Sequence, residues 1–540
     1  MKILPRNKFF VALVYFSQGS AGIVSIASSM ILREKLGLDF FQIGIVAAAS
    51  AIPWSIKPLY GLLTDLFPIA NLRRKPYLHI GAFLGAIGYF FIGISEEAEF
   101  FLSGIFKKEI LENFLPLNFS TFLIAIILAN IGLGLLDVAT DGLVVENTTP
   151  ENAAQLQGIT QTSIRTAAFF TSFFSGLLIH RGIFSPFEMY FLAAIFPATV
   201  FIFSFFVREK KITEKIEHEA RELFSKKSVA AIIFIFLTII FNLLRPEFLP
   251  KIFSLPPIFF GAIFWSLFFI WIIFYFLKLQ KLKLTSSAIF VAALFIFLWR
   301  FNPSAGSPLF FYLKNDLQIS TEKIGFFDTA AQIGSILGIF FAVKFFEKFD
   351  LKKILGGTVF AAAIFGFSSF AIARPEIAEK IGNFFIVDFF AKIISAPVYF
   401  FENIFSAIFS DNFFQNFSAN FSNFLKIKMS GIENFLFVQN FLSEFLYMIA
   451  YIPLLKFAVL ICPKKAEATN FAVIASIMNI GIALSSYVSG FLYEFFKNKN
   501  LPESAIDISA IEKLIWINIF TSLFCLFVLP FLRIKKNCKI

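Results

Sequence analysis

The chain has 540 residues, of which 58% are hydrophobic and only 15% charged, and its mean hydropathy is +0.78. No soluble domain of this length could hide so much apolar surface, and a membrane β-barrel would read as short alternating segments, so the composition leaves an all-α polytopic membrane protein. The formal net charge of +11 sits in short loops between apolar runs, as membrane orientation requires, which argues against a nucleic-acid partner.

Six helices are predicted in the first part, over about 8–32, 41–63, 77–95, 119–145, 158–180 and 188–207, giving an N-terminal half over residues 1–207. The first run lacks a small-residue cleavage site and reads as a membrane helix, not a signal peptide. A linker region, 208–284, follows. Its start, 208–227, holds seven Lys/Arg and five Asp/Glu and reads as a surface helix. Two further apolar runs, about 229–244 and 257–277, form either an extra hairpin or a pair of interfacial helices, so the total is 12–14 spans. Six more helices are predicted over about 285–313, 322–346, 354–373, 435–461, 467–496 and 512–533, a C-terminal half over 285–540.

Each half carries an insertion between its third and fourth helices, at 96–118 and at 374–434. The second contains "NIFSAIFSDNFFQNFSANFSNF", too polar to span and expected to be an amphipathic or loosely ordered outer segment. The 83 phenylalanines read as compositional bias and carry no functional signal. Cys462, Cys525 and Cys538 are scattered, and the three histidines form no ligand pattern, so no metal or cofactor is expected.

Basic residues set the orientation. Lys2, Arg6 and Lys8, then Arg73, Arg74 and Lys75, then Lys278, Lys281 and Lys283 fall on one side. So do Lys344, Lys348, Lys352 and Lys353, then Lys464 and Lys465, then Arg533, Lys535 and Lys536, if both termini are cytoplasmic. The loop 96–118 has five Glu against two Lys and belongs outside. Two six-helix halves around a charged linker are the plan of carriers with a midplane site, and organisation alone favours a major-facilitator-type carrier.

Ionisable residues at membrane depth carry the chemistry. Asp137 and Asp141, in "LGLLDVATDGLVVE", are spaced i, i+4 and share one helix face. A carboxylate in hydrocarbon costs about 2.5–3.5 kcal/mol on insertion scales, so these face a wet cavity or a cation. Lys57 in the second helix and Arg165 in the fifth lie at like depth. The four are either a site for substrate or protons, or a charge network closing the cytoplasmic gate. Arg300 precedes Pro303, Gly306 and Pro308, which loosen its helix, and a broken membrane helix is tolerated where its backbone lines a cavity. It is either an anion binder or an interhelical partner of Asp328 or Glu444.

"PWSIKPLYGLLTDLFPIANLRRKPYL", "LDVATDGLVVE", "NPSAGSPLFFYLKNDLQISTEKIGFFDTAAQIGSILG" and "KKAEATNFAVIASIMNIGIALSSYVSGFL" resemble, in order, the second-to-third, fourth, seventh-to-eighth and eleventh helices of the folate–biopterin transporter family, a branch of the major facilitators. The loop after helix two resembles their gating latch: Gly61 and Asp65 match, with Arg73, Arg74 and Lys75 displaced by an insertion. The chain departs from the family in the extra apolar runs, the Phe-rich insertion and "KKAEAT" in place of a glycine-richer stretch. The resemblance implies secondary transport of folates or pterins, coupled to protons. Lys57, Arg165 and Arg300 would meet carboxylates, an aspartate would accept from the pterin edge, and Trp54 would offer stacking surface. Another organic anion, an amino acid, a nucleoside or a non-transporting receptor role remain the alternative readings. An enzyme is not expected, since no nucleophile–base pair, metal cluster or Walker loop is present.

Overall fold

The computed structural model describes residues 5–94, 119–146, 153–209, 211, 287–345, 351–408, 429–461, 467–502 and 504–532. The predicted apolar runs 229–244 and 257–277, the loop 96–118, the segment 409–428 and Lys2, Lys278, Lys281, Lys283, Lys348, Lys464, Lys465, Arg533, Lys535 and Lys536 lie outside the described residues.

Helices α1 (Asn7–Lys35), α2 (Phe40–Asp65), α3 (Lys75–Gly93), α4 (Phe119–Glu146), α5 (Ala153–His180) and α6 (Pro186–Ser204) form the first group, in which α3 packs on α4 and α6, and α5 on α1. Helix α7 comes in two pieces, Ser287–Arg300 and Gly306–Phe311. Then follow α8 (Thr321–Phe345), α9 (Leu351–Gly366), α10 (Pro375–Gly382), α11 (Phe385–Ile408), α12 (Gly431–Ile461), α13 (Glu467–Phe496) and α14 (Ile508–Phe524). Eleven of the described helices are long and apolar enough to cross a membrane. This is a multi-pass membrane protein, and with no water in the bilayer core its backbone must satisfy its own hydrogen bonds, which helices do.

The two pieces of α7 have a local cause. Pro303 removes the donor that would reach Trp299 O, and its ring disfavours helical backbone at Asn302. Side chains take over where the ladder stops. Thr521 Oγ1 donates to Asn302 Oδ1 at 2.9 Å, and Ser304 N donates to Ser489 Oγ at 2.9 Å.

The two groups of helices meet chiefly through α2 against α13 and α5 against α8. These contacts crowd towards the side of the membrane opposite the chain's first helix start, called here the far side. A short internal repeat builds them. "LREKLGLDFFQIG", 32–44, and "LKNDLQISTEKIG", 313–325, each start in a π-helical turn, at Ile31–Lys35 and Tyr312–Asp316. Each then passes a left-handed residue, Gly37 at φ 64° or Gln318 at φ 53°. Each ends on a glycine pressed against the other half. A Cβ on Gly44 would stand 2.7 Å from Ser486 O, and one on Gly325 would stand 2.9 Å from Ser172 O. Only glycine permits either approach. Lys314 and Glu34 pair across the same seam.

The outer insertion is helical where described. Helices α10 and α11 bend by 85° at their junction. One face of α11 leaves Phe385, Phe389 and Ile393 exposed, while Phe401 and Phe405 pack on Phe169, Phe170 and Phe174 of α5.

Candidate functional site

The sequence folds Lys57 towards Asp137 through a broken helix. Helix α2 is interrupted at Ile56, between pieces Phe40–Ser55 and Lys57–Leu66. Pro58 has no N–H, so Trp54 O loses its intrahelical partner, and Asn479 Nδ2 of α13 supplies one at 2.8 Å. Lys57 Nζ donates to Asp137 Oδ2 at 2.5 Å. Gln18 Nε2 of α1 donates to the other oxygen, Oδ1, at 2.7 Å. One turn on, Tyr15 OH donates to Asp141 Oδ1. Trp54 stands beside this group: its Nε1 donates to Asn130 Oδ1 at 2.7 Å, and Lys57 Nζ lies 5.0 Å from its ring centroid. Of the four charges Asp137, Asp141, Lys57 and Arg165, only Lys57 and Asp137 are within ion-pair distance. Asp141 has no cation of its own among the described residues.

Arg165 goes elsewhere. It crosses to the other half, where it reaches Gln332 Oε1 of α8 at a marginal 3.5 Å and Met448 Sδ of α12 at 3.5 Å, an ordinary distance for sulfur. Its buried Nε has no hydrogen-bond partner among the described residues. Arg300 resembles it in this respect. Its NH1 donates to Tyr447 OH, and its guanidinium carbon lies 5.7 Å from the ring centroids of Trp299 and Tyr447 and 5.9 Å from that of Tyr451. Its Nε is also buried without a partner. Trp299, Tyr447 and Tyr451 stack on one another at 5.1–5.9 Å. Arg300 pairs directly with neither Asp328 nor Glu444. Glu444 instead accepts from Ser335 Oγ at 3.1 Å and lies in the field of both arginines.

The loop after α2 forms a latch on the terminal side. Arg74 NH2 donates to Asp65 Oδ1 at 2.6 Å, and NH1 to Thr64 Oγ1 at 2.5 Å. Its guanidinium rests on Gly142, where a Cβ would come within 2.5 Å of Cζ and push the arginine aside. The latch therefore bears on α4 one residue beyond Asp141. Glu209, just after α6, accepts from the backbone N–H of Arg73, Arg74 and Lys75 at 2.7–2.9 Å. These are donors that the start of a helix leaves without an intrahelical acceptor, where a carboxylate is favoured. Lys75 Nζ leaves the latch and donates to Phe205 O at 2.7 Å. Gly61 makes no close approach here: a Cβ would meet Val138 Cγ1 at an ordinary 3.9 Å.

Sequence reasoning missed Tyr15, Gln18, Asn130, Asn479 and Glu209. The first four are lone polar residues in apolar runs, and that was the available signal. Glu209 sits in a charge run and had none.

The family model described as "BT1 family" matches residues 18–382 and 425–539. The chain belongs to the BT1 family. Among curated relatives of this BT1 member, a "Folate-biopterin transporter" of Synechocystis sp. is 23% identical over 522 residues, covering 96% of this chain and 79% of the relative. "Folate transporter 2" of Plasmodium falciparum is 22% identical over 502 residues, covering 91% and 81%. Among solved structures, a D-xylose–proton symporter matches at 14% identity and TM-score 0.55, covering 97% of this chain and 96% of that one. A proton-dependent oligopeptide transporter structure matches at 13% and 0.59, covering 98% and 99%. At such identities these structures establish the fold alone, that of the major facilitators. With the family, they make this BT1 protein a membrane transporter and not an enzyme.

Proposed function

We propose that this BT1 protein is a secondary transporter that carries a folate or a simpler pterin by alternating access, coupled to protons. The observation that carries the reading is the pair of guanidiniums, Arg165 and Arg300. Both sit at membrane depth near the seam between halves, neither has a carboxylate within ion-pair distance among the described residues, and each has a buried Nε without a partner. A buried charge is costly unless paired, and a planar guanidinium is matched by a carboxylate. A folate brings carboxylates, and the named relatives are folate transporters. The Trp299–Tyr447–Tyr451 stack offers the flat apolar surface that a pteridine ring requires.

Proton coupling is assigned to the α4 pair. Asp137 is committed to Lys57, whereas Asp141 holds only a neutral hydroxyl and is the group placed to exchange a proton. The far-side contacts, Gly44 with Ser486, Gly325 with Ser172 and Lys314 with Glu34, are those that must part when the carrier turns outward. With both termini cytoplasmic, this conformation is closed to the outside.

The test is competition of labelled folate uptake by folates, pterins, amino acids and nucleosides, in wild type and Arg300→Lys. Folates and pterins should compete, and Arg300→Lys should weaken folate more than an uncharged pterin, because Lys cannot reproduce the guanidinium fork. Competition by amino acids or nucleosides alone would remove the cargo assignment.

A further inference from the structure

Asp137 and Asp141 are poor candidates for reading a ligand's hydrogen-bond donors. Lys57 and Gln18 occupy both oxygens of Asp137, and Tyr15 occupies Asp141. A third intramembrane aspartate, Asp328 on α8, differs. It has no hydrogen bond or ion pair among the described residues, and the one charged group whose field it feels is another acid, Glu444.

Its place is fixed by its helix face. Thr321, Gly325, Asp328 and Gln332 follow i, i+4, i+7, i+11 and lie on one side of α8. That side meets α5. Thr321 and Gly325 press on Gly176 and Ser172, and Gln332 touches Arg165. Asp328 therefore lies on the seam between the two halves, about 10 Å below the far end of α8. The closed Gly325–Ser172 contact and the stacked Phe173–Phe326 rings, 5.3 Å apart, stand just beyond it. It is half-buried rather than sealed. One helical turn below it on α8, towards the terminal side, Gln332 meets Arg165, whose guanidinium has no carboxylate partner among the described residues.

We infer that Asp328 is the specificity residue of the carrier site: its carboxylate receives the paired N–H donors of a 2-amino-4-oxo ring edge, while Arg165 and Arg300 hold the ligand's carboxylates. The inference rests on the folate–pterin reading above and extends it to a residue and a ligand edge. The chemistry is complementary. The N3–H and the 2-amino group of a pterin present two parallel donors, which is the arrangement that a carboxylate's two oxygens accept. An unpaired acid and an unmatched cation on the same seam are what a ligand with donors at one end and carboxylates at the other would complete.

The experiment is equilibrium binding to the purified full chain in detergent, with two probes: 6-hydroxymethylpterin and 6-hydroxymethylpteridine-2,4-dione, the same molecule with oxygen in place of the 2-amino group. Wild type should prefer the pterin, since the dione sets a carbonyl against the carboxylate. Asp328→Asn, which keeps the shape but trades one acceptor for a donor, should weaken the pterin by about 10–100-fold, the loss expected of a charge-assisted hydrogen bond. The dione should shift by less than about threefold, so the preference collapses, and the retained dione binding shows that the variant is folded. Asp328→Asn with an unchanged pterin-to-dione ratio overturns the inference and leaves the folate–pterin reading intact. Wild type that binds neither probe nor folate overturns both.

Discussion

Replacing Lys57 by Met tests the broken-helix site most sharply. The Lys57–Asp137 pair is 2.5 Å apart, with side chains 16% and 6% exposed. At that distance two unit charges attract by about 7 kcal/mol if the effective dielectric constant is about 20. Removing both ions from water costs several kcal/mol each, so the pair as a whole contributes little net stability. A lone ion is another matter. Lys57→Met leaves Asp137 with only the Gln18 amide, and Asp137→Asn leaves Lys57 without its anion, so each single change should cost about 3–5 kcal/mol. The double variant should recover most of that loss. SDS titration of the purified protein, monitored by loss of helix and of tertiary fluorescence, gives the three free energies for a double-variant cycle. Single losses that simply add in the double variant would show that the two charges do not stabilise each other, and the account of α2 would fail.

Gly176→Leu should hold the far side ajar, because any Cβ there overlaps Thr321 O; a cysteine at Ser172 should then react faster with an impermeant thiol reagent from that side, and unchanged reactivity would remove the α5–α8 contact from the gate. Asp507 caps α14 outside the membrane span. Burial raises its carboxyl, but hydrogen bonds from Asn498, Ser509 and Ala510 N–H outweigh this and hold it below the ordinary value. A depressed carboxyl stabilises the fold above its unfolded value of about 4, and the contribution is lost as pH falls through the folded value; wild type should therefore exceed Asp507→Asn in stability at pH 7 and lose that margin below about pH 4, and a pH-independent margin would refute the capping argument. Lys211→Cys should be labelled by an impermeant reagent only in permeabilised cells, and labelling in intact cells would overturn the assigned orientation.

The membrane helices were legible because run length and apolarity are local properties, and bilayer thickness converts them directly into spans. The break after Arg300 was legible for the same reason, since Pro303 acts on the backbone four residues away, whereas the break that Pro58 makes in α2 was missed, the prediction over 41–63 being an unbroken helix. Lys57 and Asp137 could be grouped in advance with Asp141 and Arg165, because ionisable residues at membrane depth are few, but which acid takes which base came only with the fold. Arg165 could not be placed, since its partners Gln332 and Met448 lie in the other half and only the assembled seam brings them near. Glu209 was invisible because a carboxylate that caps a distant helix start looks, in sequence, like one more solvated charge. The repeat of 32–44 in 313–325 was hidden by a background of similar apolar runs. Its matching positions are mostly Leu, Ile and Gly, and their meaning is the close approach that Gly44 and Gly325 allow. Gly61 was placed in the latch by resemblance alone, and the 3.9 Å clearance over it does not require glycine.

The central claim is that Arg165 and Arg300 hold a folate between the two halves while it crosses. Solute counterflow in proteoliposomes addresses it without any gradient of protons. Vesicles loaded with unlabelled folate are diluted into labelled folate, with wild type, Arg165→Gln or Arg300→Gln reconstituted at equal density. Wild type should accumulate label transiently above equilibrium, and each variant should lose the overshoot while still exchanging an uncharged pterin. An overshoot of folate in both variants equal to that of wild type would contradict the account.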